Sequence, residues 1–474
     1  MIATQIGRDV LYGTVADLGR GLREGAFTSA ELTEAYLERL EDLGPRLNAV
    51  ATVTRERAAH AARRADEELA AGSDRGLLHG IPYAVKDLIA VRGHPTTWGA
   101  RPYEGQTFDE DATVVQRLDA AGAVLTAKLA SVELAGGMGY EQANASLTGP
   151  GLNPWNTGAW SGGSSSGPGS AVAAGLIGFA IGSETWGSIV TPSSFCGVSG
   201  LRPTYGRVSR AGAMALSWTM DKLGPMCRSA EDCWLVLSVI AGKDDRDPAS
   251  ANHDLTDSRY VEDGRPKSPR RPRLAVLKGT GEKEQPGVRE NFARALELLA
   301  DFSEIEEVDL PDLPYGPVAG TIIRAEAAAA FEELVESGRV AELTAPEDRI
   351  KPYGGQMVLA KDYINAQRVR VKIQRALDEV LRDFDAMVGP TRSTVANPIE
   401  ARFSEYFGEF GGPSIGGGAN AAGIPGITVP NGFGERGLPT GLQFTARSWD
   451  EAAAIGLAME YQRRTDWHLR HPEM

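Results

Sequence analysis

The chain has 474 residues, 49 Lys+Arg against 63 Asp+Glu for a formal charge of −14, 42% hydrophobic and 24% charged residues. That balance builds a substantial core and excludes intrinsic disorder, and its acidity disfavours a nucleic-acid surface, which needs clustered cations. No apolar run approaches the roughly 18 residues of a spanning helix. The N-terminal MIATQIGRDV has no basic and apolar leader, and Cys196, Cys227 and Cys233 fit neither a disulfide framework nor a zinc site. The expectation is a cytoplasmic protein with reduced thiols, no membrane anchor and no metal.

Residues 14–72 read as helical, with a capping box of Thr28 and Glu31 ahead of Leu32, Tyr36, Leu37 and Leu40 on one face, and a second helix over about 54–71. GIPYAVKDLIA at 80–90 reads as a buried strand, and it carries Lys86. A helix at 111–121, a strand at 122–129 and a short helix near 131–136 continue the alternation that marks an α/β fold. Between 140 and 200 the chain is loop-rich. Pro168 suits the first turn of a small-residue helix, and Thr191 with Pro192 reads as N-cap and N1 of another, which puts Ser188 in the loop before it. Residues 243–272 are charged, Pro-rich and aperiodic, including PRRPR at 269–273, and read as a surface excursion and linker. Beyond it come strands at 273–278 and 304–310, helices at 286–302 and 355–383, and three further strands in DAMVGPT, ITVP and GLQFTAR. One mixed, twisted sheet covered by helices on both faces accommodates this better than separate domains. The chain divides into an N-terminal helical part (1–75), a core (76–242), the excursion (243–272) and a C-terminal part (273–474) that completes the sheet.

Glycine stands out. There are 56, well above the usual ~7%, clustered at 136–139, 162–169, 182–187 and 411–418. Glycine takes positive φ and lets a backbone approach a ligand, so these clusters point to a site, with flexible linkers as the plain alternative.

Two serine-bearing segments, SGGSSSGPGS (161–170) and GSETWGSIVTP (182–192), lie in this region. A serine nucleophile needs a base, yet none of His60, His79, His94, His253, His468 and His471 lies in a Gly-rich loop. Gly163 to Gly167 formally satisfies G-x-S-x-G, but a loop precedes it where the hydrolase elbow requires a strand; S-x-x-K, P-loop and H-E-x-x-H strings are absent. The remaining base is strand-borne Lys86. Burial penalises its charged form, and a drop from about 10.4 to near 7 corresponds to about 4 kcal/mol. The plain alternative is an ion pair with a carboxylate such as Asp87.

The stretch 162–208, GGSSSGPGSAVAAGLIGFAIGSETWGSIVTPSSFCGVSGLRPTYGRV, resembles the signature of the amidase signature family. Similar segments recur in GIPYAVKDLI, LTAKLASVELAGGM, NAAGIPGITVPNGF and GLPTGLQFTAR, over most of the chain. The family places its two catalytic serines 24 residues apart, the separation of Ser164 and Ser188. The resemblance implies a single large amidase-signature domain and an amide hydrolase using a Ser–cisSer–Lys triad through an acyl-enzyme, with esters and carbamates as further substrate classes. In it Ser188 is the nucleophile, Ser164, after a cis Gly163–Ser164 peptide, is the bridge, and Lys86 is the base. The backbone N–H groups of Thr185, Trp186, Gly187 and Ser188 form the oxyanion hole, and Ser165 is a supporting hydroxyl. Met138 and Trp186 are candidate substrate contacts, set against a core methionine and a ring packed away from the site.

Departures bear on specificity. Glu184-Thr185-Trp186-Gly187 stands where the family has Asp-Thr-Gly-Gly, and the acidic residue and arginine that grip glutamine in amidotransferases have no clear equivalents in 340–420. The resemblance thus favours a stand-alone amidase, monomer or homodimer, acting on a small-molecule amide without cofactor. The alternative is the glutaminase A subunit of a tRNA-dependent amidotransferase, which needs partner chains. Cys196 reads as a small buried hydrophobe, and Asn420, Pro425 and Gln443 as structural.

Overall fold

The computed structural model describes residues 6–255, 261–262, 265–266 and 270–474. Eleven of its strands form one mixed sheet: β1 (Val50–Val53), β2 (Pro82–Lys86), β3 (Val124–Leu129), β4 (Phe179–Glu184), β5 (Ser199–Arg202), β6 (Lys222–Cys227), β7 (Arg273–Leu277), β8 (Glu304–Val308), β9 (Ala386–Pro390), β10 (Gly426–Phe433) and β11 (Pro439–Thr445). Their spatial order is β1-β3-β2-β4-β6-β5-β10-β11-β9-β7-β8. Strands β3, β2 and β4 run parallel, as do β9, β7 and β8; antiparallel pairs join the two sets. Arg202 of β5 pairs with Gly426 of β10, so strands from either side of the 243–272 excursion share one sheet. Part of that excursion lies outside the described residues.

The central strands are buried along their length except at Ser183, which is partly exposed, as helices on both faces require. Edge strand β8, EIEEV, is instead largely exposed and acidic, which blunts edge-to-edge pairing. Successive side chains of β2 point to opposite faces. Tyr83 and Val85 join the larger core, with Leu18 of α1 (Val15–Arg23). Ala84 joins the second core, with Leu37 and Leu40 of α2 (Ser29–Arg46) and Ala62 of α3 (Arg55–Ala70). This parity decides where Lys86 goes.

The Thr28–Glu31 capping box is present at the start of α2. The helical reading of 14–72 is corrected at Val50–Val53, whose β-branched residues pair antiparallel with β3 as the sheet edge. Helix α4 is Thr113–Ala120 and α5 is Ser166–Ala173. Helix α6 (Val190–Cys196) starts one residue before Thr191, so Thr191 and Pro192 occupy its second and third positions rather than N-cap and N1. The long amphipathic helix is Ala360–Leu381, shorter at its start than the pattern from 355 suggests, because Lys351–Gly355 forms a separate turn of helix.

Candidate active site

Lys86 is the last residue of β2 and shares the Ala84 face, where α5 and the loop before it lie. Its Nζ, fully buried, donates to Ser164 Oγ at 2.7 Å and to Ser183 Oγ at 3.0 Å. The expected alternative, an ion pair with Asp87, is not formed. Asp87 turns to the other face and pairs with Lys128 at 2.7 Å, with Thr97 donating its N–H and hydroxyl to the same carboxylate. Lys86 thus has hydroxyls, not a carboxylate, within hydrogen-bonding distance. Burial pulls its pKa down to about 7, with Asp221 and Glu184 acting in the opposite direction from farther away.

The Gly163–Ser164 peptide bond is cis. The Ser164 carbonyl accepts from Val132 N–H at 3.1 Å, and the Ser165 N–H donates to the Ser188 carbonyl at 3.2 Å, which ties the two serine loops together. Ser165 Oγ donates to the Ser183 carbonyl and accepts from the Ser183 N–H, at 3.2 and 3.3 Å. Gly162, at φ +86°, leaves no space for a side chain: an added Cβ would lie 2.7 Å from Pro192 Cα.

Ser188, 8% exposed, lies between the end of β4 and the start of α6. Gly187 precedes it at φ +85°, a left-handed turn that L side chains adopt only with strain. Among the described residues, no acceptor takes the N–H groups of Trp186, Gly187 or Ser188. Three free donors on one turn can bind a developing oxyanion. The turn is held from behind by Glu184. Its carboxylate accepts the N–H groups of Ile189 and Val190 at 2.9 and 3.1 Å and pairs with buried Arg202 at 3.1 Å. Burial opposes ionisation of Glu184, but Arg202, Lys222 and the two N–H groups outweigh it and hold its carboxyl below the usual range. On the other side Thr185 Oγ1 donates to Asp221 Oδ1 at 2.5 Å.

Two cavities flank this turn. One, of about 80 Å³, is walled by Trp186, Gly187, Arg202, Arg392, Asn420 and Gln443 among others. A second, of about 30 Å³, is lined by Ser183, Thr185, Asp221, Arg210 and Trp218. The Trp186 ring is 44% exposed and borders the first cavity beside Gly417. Met138 is 4% exposed, packs in the larger core and belongs to neither cavity wall. Cys196 is buried, with its thiol donating to the Ser161 carbonyl at 3.3 Å, and burial pushes its pKa up. Asn420 accepts from buried Lys222 at 3.0 Å.

The structure therefore gathers Lys86, Ser164, Ser165 and Ser188 with the 185–188 turn and leaves Met138 in the core. Sequence reasoning missed Ser183, the Glu184–Arg202 pair and Asp221. Ser183 carried a local signal, since it belongs to the serine-bearing segment 182–192. Pairing of Glu184 with Arg202 and the approach of Asp221 depend on the sheet's strand order.

A family model described as Amidase matches residues 31–455. Among the relatives, the glutamyl-tRNA(Gln) amidotransferase A subunit of Chloroflexus aggregans is 37% identical over 98% of each chain, and its namesake in Halorhodospira halophila is 38% identical over 97% of this chain and 99% of its own. Among solved structures, the native peptide amidase of Stenotrophomonas maltophilia superposes with a TM-score of 0.83 at 32% identity, covering 97% of this chain and 98% of that one. The glutamyl-tRNA(Gln) amidotransferase A subunit of Thermotoga maritima gives 0.75 at 28% identity, over 96% and 95%.

Proposed function

The chain belongs to the Amidase family and is an amide-acting hydrolase of that family; from that premise we propose that it cleaves small carboxamides by itself, through a Ser188 acyl-enzyme and a Ser164–Lys86 relay. The observation that carries this reading is the Lys86 amine, buried, without a carboxylate partner and donating to Ser164.

Ser188 Oγ attacks the amide carbonyl carbon. Its proton passes to Ser164 Oγ as the Ser164 proton passes to neutral Lys86. The carbonyl oxygen becomes an oxyanion facing the N–H groups of the 185–188 turn. As the C–N bond breaks, the proton returns from Lys86 through Ser164 to the leaving nitrogen. An ester to Ser188 remains, and water cleaves it by the same relay to give the carboxylic acid. The base must be neutral, and a buried amine with a pKa of about 7 is largely so above that pH. Activity therefore rises as pH rises through about 7. Esters and carbamates fit the same chemistry because their acyl carbon is attacked identically.

A second reading follows from the names of the relatives, which are amidotransferase A subunits at 37% identity: a glutaminase that works only with partner chains. The experiment is a turnover screen of the purified chain against simple amides, anilides and glutamine, with fluorophosphonate labelling. Hydrolysis and labelling by the chain alone, lost in Ser188→Ala, support the stand-alone reading. Activity confined to glutamine and dependent on added partners supports the second.

A further inference from the structure

Behind the Ser164 loop lie two fully buried acids that the relay does not use, Glu133 and Asp348. The turn Glu133–Gly136 follows Val132, whose N–H donates to the Ser164 carbonyl at 3.1 Å, and its Ala135 walls the second cavity with Ser183 and Thr185. Leu134 and Ala135 hold φ of +50° and +55°, a left-handed backbone that is costly for L residues and persists only where the surroundings impose it. Glu133 supplies one such constraint. Its carboxylate accepts the N–H groups of Thr344 and Ala345 at 2.8 and 3.0 Å, which joins the turn to the segment 343–348.

Asp348 lies in the next turn of that segment, Glu347–Arg349, and its side chain meets the Glu133 carboxylate. Among the described residues no N–H or hydroxyl donates to either of its carboxyl oxygens and no cation pairs with it. The charged groups around it do not relieve this. Glu347 is a second acid, 3.9 Å from Arg402; Lys351 is engaged by Glu141 and the Gly139 carbonyl; and Tyr140 is a buried hydroxyl that senses both Asp348 and Arg392. Burial and the Glu133 carboxylate together push Asp348 well above the usual carboxylate range. Two adjacent buried carboxylates without a cation repel, whereas one proton between them makes a charge-assisted hydrogen bond. The proton belongs on Asp348, because two N–H donors favour the ionised form of Glu133 and Asp348 has none.

We infer that Glu133 and Asp348 share one proton, and that this contact is a latch holding the 132–135 turn, and through Val132 the Ser164 loop, in place beside Lys86; both acids are positioning residues. Loss of the proton leaves two carboxylates facing each other in the interior, which opens the contact, releases the left-handed turn and weakens the hold on Ser164. The effect on turnover rests on the reading of Ser164 as the relay; the shared proton does not.

The test reads the proton first. In the infrared difference spectrum of wild type against Asp348→Asn, a protonated-carboxyl C=O stretch of the wild type is expected at pH 7.5 and is lost as the pH is raised to 11. Thermal unfolding gives the second reading. The folded pKa of Asp348 lies above its unfolded value, so the wild type loses stability as pH rises towards that folded pKa, while the amide of Asp348→Asn stays neutral. The unfolding midpoint of Asp348→Asn should therefore climb relative to wild type between pH 5 and pH 10. The third reading is kcat for an amide that the wild type turns over. After its level stretch above pH 7, the wild-type value falls at alkaline pH by about tenfold, with KM changed less, and Asp348→Asn, which keeps a donor toward Glu133 at every pH, lacks that fall. If Asp348→Asn does not fold, Glu133→Gln takes its place: with the neighbouring charge removed, the C=O stretch is lost at a lower pH than in wild type. If no amide is hydrolysed, the relay reading fails, while the stretch and the pH-dependent difference in stability still support the shared proton. Absence of the stretch at pH 7.5, or unfolding midpoints of wild type and Asp348→Asn that run parallel with pH, overturns the inference, and an alkaline fall in kcat that Asp348→Asn retains removes both acids from the positioning of Ser164.

Discussion

Lys86 and Lys128 sit on adjacent parallel strands, both fully buried, and their surroundings differ in one respect. Lys128 has Asp87 at 2.7 Å, together with the Pro95 carbonyl at 2.6 Å and the Thr96 hydroxyl. Among the described residues, Lys86 Nζ has the hydroxyls of Ser164 and Ser183 alone as acceptors. Burial lowers both, and for Lys128 the adjacent carboxylate works against it directly. An interior amine is available as a base where hydroxyls, rather than an anion, satisfy its N–H donors. Lys222 adds a control: burial brings it also to about 7, yet it faces Asn420 and the Glu184–Arg202 pair and touches no candidate nucleophile. Depressed basicity alone does not make a base; contact with a transferable proton does.

That contrast breaks first at the serine. Ser188→Ala is expected to lower kcat by roughly 10³- to 10⁶-fold with unchanged thermal unfolding, and retention of more than a tenth of the activity would remove Ser188 from its role. Next, Lys86→Met is expected to lower kcat/KM by about 10²- to 10⁴-fold while raising the unfolding midpoint, since it removes the cost of burying an amine that is charged in the unfolded chain. The folded pKa, about 7, lies below the unfolded value of about 10.4, so that cost is greatest at low pH and gone once both states are neutral. The gain in stability from Lys86→Met should therefore be larger at pH 7 than at pH 10, and the reverse order would contradict a depressed pKa.

For the wild type, log kcat/KM is expected to rise with unit slope below about pH 7 and to level above it; a flat profile across that pH would argue against a neutral-amine base. Lys128→Met sharpens the comparison by the opposite pattern: kcat within about tenfold of wild type, but a stability loss of roughly 3–5 kcal/mol, because Asp87 is left buried without its cation. Denaturant unfolding and steady-state kinetics on the one variant separate the two. The smallest effect is expected at Trp186→Gly, which should change the ratio of kcat/KM between short and long acyl chains by roughly tenfold or less, with little change in stability for a ring already half in solvent.

Much of the fold was legible. The strands at β2, β3, β7, β9, β10 and β11 were recognisable because each is a short apolar or β-branched run bounded by turn residues, a property local to the chain, and the more acidic β8 reads as a strand as well. Strands β1, β4, β5 and β6 were not: the region 140–200 reads as loop-rich although β4 and the start of β5 lie in it or at its end, and the four residues of VATV between two strong helical patterns carry meaning only when β3 pairs with them. The start of α6 shifted because Glu184 caps its first N–H groups from another element, displacing the Thr191–Pro192 signal.

Within the candidate site the same division holds. Local chemistry along the chain pointed to the serine-bearing turns and to strand-borne Lys86, and the resemblance to the amidase signature family, through its 24-residue serine separation, singled out Ser164 and Ser188 as candidates. Which anion lies near which cation was left to the tertiary structure. Strand alternation sends Asp87 to Lys128 and Lys86 to the serines, and strand order brings Arg202 to Glu184 and Arg392 to the wall beside Trp186. The physical reason is range. Propensity and turn chemistry act over a few residues, whereas desolvation and charge pairing depend on groups separated by tens to hundreds of positions that meet only when the sheet assembles.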